Sequence, residues 1–177
     1  MSVIFLGSAK RVSVAALALV CVGLAAPQAS AVEGPSTVGG VRVASVADAE
    51  TRAVALAAPR AVQATATLCG TGYELTFAER LPDASRQGTL FHYRKNGVGS
   101  CVLFDNNTGQ KRYMKLKLCE TSTGKQDACV TDEGYFTQYA GPLRVKDVCG
   151  EVTAIMKLDK ASAWAVIDRK RLVPPCK

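Results

Sequence analysis

Apolar and polar residues alternate along most of the chain beyond residue 68. This period of two is typical of β-strands that bury one face. The longest alternation runs from Tyr113 to Cys119. Its apolar positions are Met114, Leu116 and Leu118, and lysines stand between them at 115 and 117. The segment therefore predicts a strand with an apolar inner face and a basic outer face.

Shorter segments with the same pattern predict further strands at 73–78, 89–93, 101–104, 152–158 and 163–167. We expect Leu75 and Phe77 to share one face of the first of these, and Phe91 and Tyr93 to share one face of the second. Turn-forming residues separate the segments, for example Asn-Gly at 96–97, because both residue types tolerate positive φ.

The stretch from Tyr135 to Val145 is rich in aromatic residues and changes direction. Aromatic and polar residues alternate up to Tyr139, and Gly141-Pro142 then interrupts the pattern. We expect a bent strand, or two strands that meet at a corner. Because turns recur throughout and no long segment has a helical period, the sequence predicts an all-β fold, a small disulfide-stapled antiparallel β-sandwich or barrel.

The first 31 residues have the organisation of a secretory signal peptide. Lys10 and Arg11 precede an apolar run from Val12 to Ala26, and Ala29-Ser30-Ala31 resembles a cleavage site. We predict cleavage after Ala31 and export of the remainder. The apolar run is too short to span a bilayer comfortably, so no membrane association is expected after cleavage.

Residues 32–66 consist mainly of small and apolar residues, chiefly alanine and valine, and contain no aromatic residue. Such a segment offers few large side chains to a core, and a short isolated helix is marginal in water. We interpret 32–66 as a flexible linker or a removable pro-segment. A single disulfide-stapled β domain is then predicted at 67–177.

Removal of the leader discards Cys21 and leaves six of the seven cysteines: Cys69, Cys101, Cys119, Cys129, Cys149 and Cys176. An even number in an exported domain is typical of a disulfide framework. Many pairings are possible, and their order along the chain leads us to hypothesise Cys69–Cys101, Cys119–Cys129 and Cys149–Cys176. Since there is no Cys-x-x-Cys pair and only one histidine, we expect no metal and no cofactor.

Candidate catalytic residues are few. His92 is the only histidine, and a nucleophilic mechanism would need partners such as Ser100 and Asp105. Asp132 and Glu133 are the best-placed carboxylates for glycoside hydrolysis, but adjacent strand residues face opposite ways. We therefore expect a structural or surface histidine and no enzymatic activity. Three aromatic residues could line a sugar-binding surface, although core positions are the expected alternative: Tyr135, Tyr139 and Trp164.

The mature chain is basic. Without Lys10 and Arg11 it keeps 20 of the 22 basic residues against 15 acidic ones, a net charge of +5. Five consecutive or alternating positions form a basic stripe, which is either an ordinary solvated strand face or a surface for anionic wall polymers: Lys111, Arg112, Tyr113, Lys115 and Lys117. Nucleic-acid binding is not expected, because that would need more positive charge and more interleaved aromatics.

A second kind of partner is a protein. The polar loop from Thr121 to Gln126 lies between Cys119 and Cys129 and carries Lys125. A bridge across this loop would pre-organise it, which lowers the entropy lost on binding. The sequence therefore offers an alternative hypothesis, a secreted binding module such as a protease inhibitor with Lys125 near the loop tip.

The domain resembles the spore-associated protein A family, small exported proteins of filamentous actinobacteria. The resemblance spans 68–177 and depends on three sets of positions: Cys69-Gly70-Thr71-Gly72-Tyr73; Tyr93 and Asn96 ahead of Cys101-Val102; and Thr137-x-Tyr139-Ala140-Gly141-Pro142 followed by Cys149 and Cys176. Cys119 and Cys129 depart from the family pattern as an added pair. The resemblance implies an exported protein of the spore or cell surface and implies no chemistry. We therefore expect an extracellular accessory or structural protein.

Overall fold

The computed structural model describes residues 36–83, 85–121, 128–146, 149–173 and 176. These residues include ten strands: β1 (Ser36–Val38), β2 (Val41–Val43), β3 (Glu74–Leu81), β4 (Gly88–Lys95), β5 (Gly99–Asn106), β6 (Arg112–Glu120), β7 (Cys129–Phe136), β8 (Tyr139–Val145), β9 (Gly150–Lys157) and β10 (Ile167–Val173). Two short helices, α1 (Ala49–Ala57) and α2 (Pro59–Cys69), separate β2 from β3. Within the described part of the chain, neither helix is long and apolar enough to cross a membrane.

The strands form two sheets. Sheet A has six strands in the order β1-β2-β3-β4-β5-β8, and sheet B has four in the order β10-β9-β6-β7. Neighbouring strands are antiparallel except for β2 and β3, which pair in parallel at Val43 and Leu75. The predicted all-β fold is confirmed, and of the two alternatives the molecule is a sandwich and not a closed barrel.

The two sheets enclose one hydrophobic core, the sandwich core. On sheet B the predicted inner face of β6 is confirmed, because Met114, Leu116 and Leu118 are fully buried. They pack with three groups of side chains: Phe77, Leu81, Leu90, Val102 and Phe104 of β3–β5; Ala140 and Leu143 of β8; and Val152, Ala154, Met156, Ile167 and Val173 of β9 and β10.

A second core, the helix-side core, lies on the opposite face of sheet A. It combines Val54, Ala55, Val62 and Ala66 of the helices with sheet residues that include Val43, Leu75, Phe91, Tyr93 and Leu103. Phe91 and Tyr93 share this face, as expected, with ring centroids 6.3 Å apart. The molecule thus has three layers, which are the helices, sheet A and sheet B.

The helix layer corrects our interpretation of 32–66. Its described residues, from Ser36 onwards, are not a linker but belong to the same compact unit as 67–177. Alanine and valine give the segment a weak sequence signal, yet they let the helices lie close to sheet A. Thr51 strengthens the contact, since its buried hydroxyl oxygen accepts a hydrogen bond from the Ala78 backbone N–H at 3.1 Å. Predicted cleavage after Ala31 lies outside the described residues.

A side chain satisfies backbone groups at the start of α1 and at the end of α2. Asp48 caps α1, because its carboxylate accepts from the Thr51 N–H at 2.7 Å. At the end of α2, Arg144 of β8 donates to the Leu68 carbonyl oxygen at 2.6 Å. A guanidinium is favourable at this end because the last helical carbonyls carry partial negative charge. The second of these contacts fastens the end of α2 to sheet A.

Three predicted strand details are wrong. A bulge between Leu75 and Phe77 places these residues in different cores instead of on one face. The corner in the aromatic stretch falls between Phe136 and Tyr139, before Gly141-Pro142. The last strand, β10, begins at Ile167, so Trp164 lies in the loop that precedes it. These features depend on pairing with distant strands, which local periodicity does not report.

The three disulfides are Cys69–Cys101, Cys119–Cys129 and Cys149–Cys176. They are the pairings that chain order led us to hypothesise. The first fastens α2 to β5, and the second joins directly opposed residues of β6 and β7. Three bridges in a domain of this size are typical of proteins that fold in an oxidising, extracellular environment.

Candidate functional site

His92 lies on β4 in a hydrogen-bonded network inside the sandwich. Its Nδ1 lies 2.5 Å from the Thr76 hydroxyl, and its Nε2 lies 2.9 Å from the Ser100 hydroxyl. A neutral imidazole has one donor and one acceptor nitrogen, so both are satisfied here. Burial, together with the positive charge of Arg94, lowers the pKa of His92 from 6.5 to about 3. The ring is therefore neutral at physiological pH.

This network has a serine beside a histidine but does not form a catalytic site. Thr76, His92 and Ser100 are each no more than 1% exposed, so a substrate cannot reach the serine hydroxyl. Asp105 does not complete the set, because it alternates with Phe104 and thus leaves the side of β5 that faces the sandwich core. The expectation of a structural histidine agrees with this geometry, since the hydrogen bonds join β3, β4 and β5.

The carboxylate pair also behaves as strand geometry predicts. Asp132 points towards sheet A, where its Oδ2 accepts from the Gly141 backbone N–H at 2.8 Å. Glu133 faces the other way and contacts Tyr113, Lys115 and Lys160. The two carboxylates lie on opposite sides of sheet B and therefore cannot act together on one substrate. Among the described residues, no cluster of three or more His, Cys, Asp or Glu side chains is arranged to hold a metal ion.

The outer side of sheet B, away from the sandwich core, carries the best candidate for a binding surface. We call it the lysine–tyrosine face and define it as Lys111, Tyr113, Lys115, Lys117, Glu133, Tyr135 and Lys160. The strand register creates it, because Tyr113 is opposite Tyr135 and Lys115 is opposite Glu133. On β6, Lys115 and Lys117 alternate with the buried residues Met114, Leu116 and Leu118, so their side chains point outwards. Tyr113 lies on the same side of the strand but is only 7% exposed.

Glu133 organises the centre of this face. Its Oε1 accepts from the Tyr113 hydroxyl at 2.5 Å, and its carboxylate pairs with Lys115 Nζ at 3.2 Å and Lys160 Nζ at 3.3 Å. The tyrosine hydrogen bond, followed by the two lysines, lowers the pKa of Glu133 to about 2. The same hydrogen bond, followed by burial and the glutamate charge, raises the pKa of Tyr113 to about 12. The carboxylate is therefore ionised at any physiological pH.

Two lysines of the face keep their charge uncompensated within the described structure. Neither Lys111 nor Lys117 pairs with a carboxylate among the described residues, and Lys111 Nζ lies 5.9 Å from the centroid of the Tyr135 ring. Arg112 does not belong to this surface, because it alternates with Tyr113 and is half-buried. The predicted stripe is therefore reduced to Lys111, Tyr113, Lys115 and Lys117. Lys125 lies outside the described residues.

Sequence reasoning missed Glu133, Tyr135 and Lys160 as members of the face. A signal for the first two was present. A bridge between Cys119 and Cys129 at the end of a hairpin fixes the register, and that register places Glu133 opposite Lys115. Lys160 carries no such signal, since it follows β9 and reaches Glu133 only through the tertiary fold.

The three aromatics considered for sugar binding occupy different environments. Tyr139 packs against the helix-side core, whereas Tyr135 is 46% exposed on the outer face of sheet B. Trp164 is 86% exposed in the loop between β9 and β10. The expected core position is thus wrong for Tyr135 and for Trp164.

No protein-family model, curated protein or solved structure matches this chain. The fold and the candidate site define a three-disulfide β-sandwich with a helix layer on one side and an open lysine–tyrosine face on the other. Any function must be argued from that geometry.

Proposed function

We propose that this protein is an exported, non-enzymatic accessory protein of the spore or cell surface, which binds anionic wall polymers through the lysine–tyrosine face. The observation that carries the proposal is the position of this face. The helices cover one side of sheet A and the two sheets cover each other, but the lysines of sheet B stand on its outer side. A linear polyanion can lie along such a surface and contact several cations at once.

The expected interaction is weak at each lysine and strong only as a sum. An exposed ion pair contributes about 0–1 kcal/mol and is screened by salt. Glu133 offsets Lys115 and Lys160, so Lys111 and Lys117 supply most of the attraction. Binding through this face should therefore be reversible by moderate salt. The predicted signal peptide, the three disulfides and the resemblance to spore-associated proteins support the extracellular setting.

Cell fractionation combined with a charge-matched pair of variants tests the proposal. The double variant Lys111→Gln/Lys117→Gln should elute from washed walls or spores at clearly lower salt than the wild type. The control Arg60→Gln/Lys146→Gln removes the same charge from α2 and from the end of β8, where both residues are exposed, and should elute like the wild type. Equal elution of the two double variants would show that net charge, and not this face, determines attachment.

The alternative partner is a protease whose specificity pocket binds Lys125 and the loop around it. The same fractionation separates the two functions. Protein found wholly in the culture fluid, bound to a protease and released by Lys125→Ala, would replace the wall-binding proposal with the inhibitor hypothesis.

A further inference from the structure

Trp164 is the single tryptophan of the chain, and it is 86% exposed. It lies in the β9–β10 loop together with Leu158, which is 61% exposed. Tryptophan is usually largely buried in a folded protein, and exposed tryptophans are characteristic of binding surfaces. Truncation of such a residue often costs more affinity than truncation of any neighbour. The exposure of Trp164 therefore indicates that the loop binds a ligand through the indole ring.

Hydrogen bonds hold this loop in a fixed shape. The Asp159 N–H donates to Ser162 Oγ at 3.1 Å, and the Ser162 N–H donates back to the Asp159 carbonyl oxygen at 3.1 Å. Lys157 Nζ donates to the Ser162 carbonyl oxygen at 3.0 Å, and the Val166 N–H donates to the Met156 carbonyl oxygen at 2.8 Å. The loop is thus tied at its turn and at its base. A pre-organised loop loses little conformational entropy when it binds.

The loop is also attached to the lysine–tyrosine face. The Tyr135 hydroxyl donates to Asp159 Oδ2 at 2.9 Å and accepts from the Lys160 N–H at 3.2 Å. Lys160 Nζ lies 5.8 Å from the centroid of the Tyr113 ring and 3.3 Å from Glu133 Oε1. The segment that displays Trp164 therefore joins the cationic surface directly.

We propose that Trp164 is the sugar-stacking contact of this face, and that the ligand is an anionic glycopolymer, a chain of sugar rings with carboxylate or phosphate groups. This inference depends on the proposed function and specifies its ligand class. The flat indole matches the apolar C–H face of a sugar ring, and the lysines next to the loop attract the anionic groups of the same chain. A simple polyanion would use the lysines alone.

A lipid surface fits these observations less well. Membrane-inserting segments bury a continuous apolar face, with cations at its border. Here the two large exposed apolar residues of the loop, Leu158 and Trp164, are separated by Asp159, Lys160 and the polar turn at Ser162. The lysines continue over a sheet surface, which suits a polymer lying along it.

Because Trp164 is the only tryptophan, its fluorescence reports binding at this position without interference. We would titrate the oxidised protein with hyaluronate as the anionic glycan, polyglutamate as a polyanion without sugar, dextran as a neutral glycan, and phosphatidylglycerol vesicles. Hyaluronate should blue-shift the emission and bind about tenfold or more tightly than polyglutamate at equal charge concentration. The variant Trp164→Ala has no tryptophan emission, so its binding is measured from the change in sedimentation that each polymer causes. It should bind hyaluronate no more tightly than polyglutamate, and its affinity for polyglutamate should be unchanged. Leu56→Ala, a change at another strongly exposed apolar residue, should bind like the wild type.

The outcomes separate this inference from the proposed function. Equal, lysine-dependent binding of hyaluronate and polyglutamate with unchanged emission would retain the wall-binding surface and overturn the role of Trp164. Failure of both polymers to bind would overturn both. An emission shift with dextran equal to that with hyaluronate would overturn the anionic ligand class. A shift with vesicles alone would identify a membrane contact and also overturn the inference.

Discussion

The buried histidine network and the lysine–tyrosine face are both clusters of hydrogen-bonded titratable groups. Both lower the pKa of their central group, but the first thereby favours a neutral side chain and the second a charged one. Around His92, burial and a nearby arginine disfavour the charged ring. Around Glu133, a tyrosine hydroxyl and two lysines favour the charged carboxylate. The first cluster therefore holds the fold together through neutral groups. The second keeps charges in contact with water, where a ligand can reach them.

The largest effect should come from acid acting on His92. The ring has a pKa of 6.5 in the unfolded chain and about 3 in the folded protein. Below pH 6.5 the unfolded chain therefore binds a proton that the folded protein does not. The free energy of unfolding is unaffected by protonation of His92 above that pH, and it falls as the pH decreases from 6.5 towards 3. The loss should reach on the order of 5 kcal/mol, at about 1.4 kcal/mol per pH unit.

Denaturant unfolding between pH 7 and pH 5 measures this slope where most carboxylates stay ionised. His92→Gln should flatten it, whatever its absolute stability. A wild-type stability that is constant across this range, or an equally steep slope in His92→Gln, would contradict the assignment of a neutral buried ring.

A hydroxyl deletion in the buried network should have the next largest effect. Ser100→Ala removes the partner 2.9 Å from His92 Nε2 and leaves a buried ring nitrogen unpaired. The expected loss is about 1–3 kcal/mol of unfolding free energy. Ser85→Ala removes an exposed hydroxyl and should change the unfolding midpoint little. Equal stability of the two variants would mean that water replaces the Ser100 hydroxyl as the partner of His92 Nε2. The network would then be accessible to solvent.

The edge of the sandwich provides an intermediate case. Glu79 is 5% exposed and pairs with Arg169 and Arg171 of β10, which bridges the two sheets. Glu79→Gln should lower the unfolding free energy by about 1–2 kcal/mol, a value reduced from that of a fully buried pair because both arginines are partly exposed. Glu151→Gln breaks a pair with a well-exposed lysine, Lys170, and serves as the control. Similar losses in both variants would show that burial of Glu79 adds nothing.

The smallest change in stability is expected for Glu133→Gln on the outer face. Its clearest signal should be spectroscopic, because loss of the carboxylate lets the pKa of Tyr113 fall from about 12 towards its ordinary 10.0. Absorbance of the phenolate during alkaline titration measures this shift. The variant also frees Lys115 and Lys160, so its elution from walls should require more salt than the wild type. A tyrosine titration identical to the wild type would rule out the hydrogen bond to Glu133.

The candidate face shows how far hairpin geometry carries sequence reasoning. Alternation in 113–119 predicts which lysines point outwards, and the outcome for Lys115 and Lys117 agrees. The same alternation excludes Arg112, which our predicted basic stripe wrongly included. Register from the Cys119–Cys129 pair would also have placed Tyr135 and Glu133. Local pattern was sufficient here because β6 and β7 are neighbours in sequence.

The helix layer is the largest feature that the sequence concealed. In 49–69 most buried residues are small, such as Ala55 and Ala66. Their hydrophobic signal is weak, and packing on sheet A provides the stability that an isolated short helix lacks. Tyr93 illustrates the dependence, because its hydroxyl donates to the Val62 carbonyl oxygen at 2.9 Å across the layer. No sequence pattern near residue 62 predicts that contact.

The sequence by itself determined the strands with strict alternation and the outward lysines of β6, since each depends on residues close in the chain. For the cysteines it left many pairings open, and chain order only suggested the set that the structure shows. The tertiary structure alone decided the burial of His92, the contact of Arg169 with Glu79 and the attachment of the β9–β10 loop to the basic face through Tyr135 and Asp159. These join residues from separate strands and loops. Their energies come from exclusion of water and from partners that only the assembled sheets bring together.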